Sequence, residues 1–125
     1  MGNFWQAKTK VRPVDTLYSS YLRTKRGWKC EKCDKDCSDN KQYLTVSHFH
    51  GRRKESVRFD DENVSVLCRK CHFYFEEHKE DYKKWLISII GERRFDILTL
   101  TANTRGEKDD EGMRIILKEL IKDLS

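Results

Sequence analysis

Two Cys-x-x-Cys pairs, Cys30 with Cys33 and Cys68 with Cys71, constrain this 125-residue chain more than any other feature. Thiolates two residues apart point at a common centre, and four of them supply the closed tetrahedral shell of a structural zinc ion. Redox dithiols or buried free thiols are the alternatives. Both fit poorly in a chain that is 38% charged and only 37% hydrophobic. A core that lean needs a staple, and zinc would tie the front of the chain to the segment after Cys71. Chelation is then expected to unfold the centre and not merely inhibit it. Cys37 is left over: it could replace Cys33 as a ligand, but the spacing favours Cys33 and makes Cys37 a spare exposed thiol.

The length suits one domain. Net charge is +5, carried by the front: residues 1–70 hold 16 Lys and Arg against 9 Asp and Glu, residues 71–125 hold 10 against 12. A positive surface attracts polyanions, nucleic acid first; a merely solvated face is the equal alternative on charge alone. The longest apolar stretch, near Trp85 to Ile90, is far short of the roughly 20 residues that span a bilayer, so no membrane role is expected. The start of the chain lacks the apolar run of a secretory signal, which predicts a cytoplasmic protein. In that compartment cysteines stay reduced and read as metal ligands.

Along the chain, residues 1–13 are polar and basic around Phe4, Trp5 and Pro13 and read as an arm. Asp15 is a plausible N-cap for a short helix that ends at Gly27. That helix would pack on the metal-held segment, or contact DNA through Arg23, Lys25 and Arg26. Alternation over Tyr43–Phe49 predicts a strand, Val64–Leu67 a second, and the long loop between them has a functional length. Past Cys68 the pattern turns helical over His72–His78 and from Tyr82 to Gly91; residues 95–102 suit strand or helix. Met113, Leu117, Leu120 and Leu124 mark a last amphipathic helix. The expectation is an α+β protein with an arm over 1–13, a stapled domain with flanking helices over 14–102 and a C-terminal helix over 103–125. That last helix is a reasonable homodimer contact.

His48 at the end of the first strand, Asn63 before the second and His72 after the last cysteine form a constellation, with Asn63 15 residues after His48 and His72 9 residues after Asn63. Val46-Ser47-His48, followed by Asn63-Val64-Ser65-Val66-Leu67-Cys68-Arg69-Lys70-Cys71-His72, resembles the zinc-stapled HNH endonuclease family. Leu17–Arg23, Ser47-His48-Phe49 with Arg52, Arg58-Phe59-Asp60 and the later Trp85, Gly91 and Phe95-Asp96 look like the phage NinG or Rap group of recombination nucleases. The likeness covers most of residues 14–102. It implies a ββα-metal core and cleavage of branched DNA such as recombination junctions, inside a bacterial host if the chain is phage-encoded.

The chemistry suits these residue types. A neutral imidazole can take a proton from water at physiological pH, and His48 is the candidate base. The resemblance implies that Asn63 fixes the loop that aims His48, and that His72 binds a catalytic divalent metal, Mg²⁺ or Mn²⁺. Where the family commonly has Asp or His as a second ligand, this chain has Ser47. His50, on the same face as His48 if the strand continues, and Glu76, one turn after His72, are candidates to complete the shell. His78 reads as surface. Arg52, Arg53, Lys54 and Arg58 line the inter-strand loop and are expected to grip DNA phosphates. The rivals are a noncatalytic zinc-dependent DNA-binding module and a zinc-dependent protein-interaction domain.

Overall fold

The computed structural model describes residues 10–124, so Phe4 and Trp5 of the expected arm lie outside the described residues. The end of that segment is not an arm. Pro13 stands at the first helical position, where its missing N–H costs nothing, and opens helix α1 (Pro13–Lys25). Arg12 is the N-cap in place of Asp15, which sits one turn in and accepts the Arg12 N–H at 2.7 Å. The Arg12 guanidinium forks onto Glu55 at 2.8 and 3.1 Å, fastening this segment to the domain. Gly27, with φ of +77°, follows the helix end as its sequence position suggests.

Strands β1 (Leu44–His48) and β2 (Val64–Cys68) pair antiparallel, Val46 opposite Val66 and His48 opposite Val64. Alternation sends Leu44, Val46 and His48 to one face and Thr45 and Ser47 to the other. The first face shares a core with Val14, Tyr18 and Leu22 of α1. Against the second lie α2 (Arg69–Glu77) and α3 (Lys79–Ile90): Thr45 reaches His72, and Ser47 reaches Tyr82. A two-stranded ribbon is marginal by itself, and arginines finish its edges. Arg23 donates to the Leu44 carbonyl at 3.2 Å and Arg26 to the Val64 carbonyl at 2.7 Å. Both spend donors on the hairpin, so α1 packs on it, while Lys25 stays exposed.

After Gly91, at φ of +90°, the ambiguous segment is helical as α4 (Glu92–Ala102). Phe95, Leu98 and Ala102 recur at helical spacing and bury against Val57 and Leu86, which outweighs the strand preference of Thr99 and Thr101. The last helix, α5 (Asp110–Lys122), is capped by Asp109, whose Oδ1 accepts the Gly112 N–H at 3.0 Å. It lies along α1, with Leu117 buried and Met113 and Ile121 packed beside it, so part of its apolar stripe is used within the chain. Ile115, Ile116, Leu120 and Leu124 stay exposed. The described residues thus form an α+β fold of five α-helices and one antiparallel pair of strands. None of those helices is long and apolar enough to cross a membrane.

Candidate functional site

The sulfurs of Cys30, Cys33, Cys68 and Cys71 all lie within 4.8 Å of one another, and Cys33 Sγ is 3.8 Å from Cys68 Sγ. Ligands about 2.3 Å from a tetrahedral zinc ion stand about 3.8 Å apart. The cluster could therefore hold a structural metal such as zinc. Its placement explains the staple: Cys68 ends β2 and is the N-cap of α2, so the centre would fix the joint between strand and helix. Burial opposes ionisation of Cys30, but backbone N–H groups of Cys68, Cys33 and Lys32 aimed at its sulfur outweigh it and hold the thiol below its ordinary range. Cys37 is not the exposed thiol expected. It is 1% exposed, its N–H donates to the Trp28 carbonyl at 2.8 Å, and burial pushes its thiol up.

Asn63 is fully buried and spends its whole amide on the loop. Its Oδ1 accepts the His50 N–H at 2.8 Å, while Nδ2 donates to the His50 and Val57 carbonyls at 2.9 and 3.1 Å. The next carbonyl, that of Arg58, meets His48 Nε2 at 3.0 Å. A carbonyl can only accept, which assigns the proton to Nε2 and leaves the lone pair on Nδ1. Burial lowers the His48 pKa to about 4, with the Arg58 carbonyl opposing and Arg52 adding to the effect. The imidazole is neutral at physiological pH.

Arg58 does not grip phosphate. It is 4% exposed, and its guanidinium donates to both Asp15 oxygens at 2.9 and 2.5 Å and to the Arg52 and Lys10 carbonyls at 2.8 and 3.0 Å. Four of its five N–H groups are thus taken inside the protein, and Nη1 also lies 3.8 Å from Glu55 Oε1. Its role is to pin the loop to α1 so that its own carbonyl stays on His48. Burial works against the Asp15 carboxylate, but Arg58 and the Arg12 N–H outweigh it and hold its pKa below the ordinary value.

On the other face, His72 Nδ1 meets Thr45 Oγ1 at 2.7 Å. The one hydroxyl proton of Thr45 goes to the Leu67 carbonyl at 2.8 Å, so Thr45 accepts from His72 and Nδ1 carries the ring proton. His72 Nε2 then turns its lone pair to Glu76 Oε2 at 3.3 Å. Two electron-rich atoms face each other. Burial depresses the His72 pKa despite Glu76, and a cation could be held between Nε2 and Oε2. A metal-ligating histidine usually donates its other N–H to a fixed acceptor, the part Thr45 plays. No third Cys, His, Asp or Glu joins this pair among the described residues.

The remaining candidates separate. Ser47 is buried, its Oγ 2.9 Å from Tyr82 Oη. His50 is not with His72: Asn63 holds its backbone and bends the chain out of β1 after His48, and His50 Nε2 meets Thr99 Oγ1 at 3.2 Å instead. Burial lowers the His50 pKa, with Lys54 and Lys79 adding to the effect. Arg53 and Lys54 are exposed, and Arg52 is half-buried. The Arg52 charge acts on both His48 and His72, which approach from opposite faces of β1. Sequence reasoning gave Asp15 only a capping role and Tyr82 only a place in a helical stripe, and it missed Thr45. Thr45 carried a signal, two positions before Ser47 on the same face.

Comparison with protein-family models, curated proteins and solved structures finds no match.

Proposed function

We propose that this protein is a metal-dependent DNA endonuclease of the HNH kind, acting on branched DNA. The observation that carries the reading is the chain of contacts from Asn63 through the Val57–Arg58 loop to His48, which leaves Nδ1 of a neutral, oriented imidazole as the proton acceptor. His48 would take a proton from water as its oxygen attacks phosphorus and the bond to the 3′ oxygen breaks. Arg52, whose charge bears on both imidazoles, would hold the scissile phosphate, with Arg53 and Lys54 on flanking ones. His72 and Glu76 would hold the divalent metal, Mg²⁺ or Mn²⁺, whose charge would stabilise the phosphate and the departing oxygen. The branched substrate follows from the likeness to the NinG or Rap nucleases.

The test is nicking of supercoiled plasmid and of a four-way junction with Mg²⁺ or Mn²⁺. Wild type is expected to cut, and His48→Ala to lose about 10²–10⁴-fold in rate. A second reading, a noncatalytic zinc-stapled DNA-binding module, is favoured by the burial of Ser47 against Tyr82, which leaves two protein donors for a catalytic ion. Intact DNA in every divalent metal, alongside salt-dependent binding, would select it.

A further inference from the structure

A cavity of about 260 Å³ opens beside the cysteine cluster, on the far side of α2 from His72 and Glu76, lined by Lys32, Lys70, Cys71, Tyr74 and Phe75. We propose that it binds one unpaired nucleobase of a DNA strand, a reading that rests on the nuclease proposal for the identity of the polymer. The cavity is smaller than the roughly 300–1,000 Å³ of pockets for drug-sized ligands, so it suits a single flat ring system. Phe75, 1% exposed, is the buried part of its wall, and Tyr74, 44% exposed, the accessible part. The Tyr74 ring stacks on His78 at 4.1 Å and 15°, and its hydroxyl donates to Asp81 at 2.5 Å. It is thus a platform fixed before any ligand arrives.

The polar lining is cationic. Lys32 and Lys70 are exposed and no carboxylate lines the cavity, so a base would enter with its phosphates beside ammonium groups. Aromatic stacking next to lysines is the chemistry of single-strand recognition. On α2, Lys70 and Tyr74 share one row and His72 and Glu76 another, about half a turn round the helix. The helix with its side chains is about 10–12 Å across, a span of a few nucleotides, and the 67% exposed Phe73 lies on the same helix between the two rows. A base in intact duplex cannot reach the pocket. A base freed at a branch, flap or gap near the cut can, which makes base capture the source of the preference for branched DNA.

The experiment uses full-length protein carrying His48→Ala, so that DNA stays intact, and DNA flaps with 2-aminopurine at successive unpaired positions. A fluorescence change confined to one or two adjacent positions is expected, abolished by Tyr74→Ala and kept by Tyr74→Phe. Tyr74→Ala should weaken flap binding about tenfold and blunt-duplex binding less than twofold. Lys70→Glu, a surface change, should give the same selective loss, so a misfolded Tyr74 variant does not shelter the idea. Equal signals at every position, no flap binding, or no effect of either substitution overturns it. If wild type captures the base yet never cuts DNA, the pocket stands and the nuclease reading fails; if it cuts but both variants behave as wild type, the reverse holds.

Discussion

His48 combines two requirements that usually conflict: it must be unprotonated to accept a proton, and basic enough to hold one. Burial secures the first at the cost of the second, with a pKa of about 4. The nicking rate should therefore show no inflection near pH 6.5, where an ordinary imidazole titrates, and should fall only towards pH 4. A single-turnover pH profile that breaks near 6.5 would contradict this environment. Stability carries the same signature. Between pH 6.5 and 4 the unfolded chain binds a proton that folded His48 refuses, so acidification favours unfolding, by at most about 3 kcal/mol. Urea melts of wild type should lose stability through that window relative to His48→Gln. Asn63 acts at the same scale. Asn63→Ala leaves the His50 N–H and the His50 and Val57 carbonyls without these partners, and is expected to cost at least about 3 kcal/mol, at about 1–3 for each of the three groups. A denaturation midpoint unchanged by Asn63→Ala would show that water replaces the amide.

Between elements, the ion pair of Asp15 and Arg58 joins α1 to the inter-strand loop, both side chains 5% exposed. Removing one partner strands a buried charge, so Asp15→Ala is predicted to destabilise by about 3–5 kcal/mol, and Asp15→Ala with Arg58→Met to recover much of that. A denaturant double-mutant cycle measures the coupling; additive costs would show that the two residues act independently. This pair also marks where sequence reading stops. Strands, helices and the cysteine pairs were legible because each is a local pattern: alternation, helical spacing, a two-residue gap. His48, Asn63 and His72 were legible as candidates because their spacing resembles a family motif. Arg58 was misread as a phosphate contact, because four basic residues in one loop look alike until a carboxylate 43 residues away takes one of them inward. His50 was misplaced for a related reason: its alternation with His48 assumes a straight strand, and Asn63 bends the chain.

At the scale of the molecule, stability is expected to turn on the four-sulfur cluster, because the hairpin beside it is the only sheet among the described residues. Cys30 and Cys68 sit in the main core with Leu22, Val66 and Phe75. Removing a metal would leave those sulfurs crowded without a counter-charge and free the joint at which β2 becomes α2. The folded protein is expected to carry one equivalent of zinc, and a chelator strong enough to strip it should abolish cooperative thermal unfolding. Substitutions sharpen this into a ligand test. Cys33→Ser removes an exposed sulfur with little packing to lose, so a loss of zinc there reports ligation. Cys37→Ala removes a buried sulfur outside the cluster, and should lower the melting temperature modestly while keeping the full equivalent. Zinc retained by Cys33→Ser and lost by Cys37→Ala would move the metal to a different set of sulfurs, and a melting curve untouched by complete removal of zinc would mean that packing alone holds the hairpin.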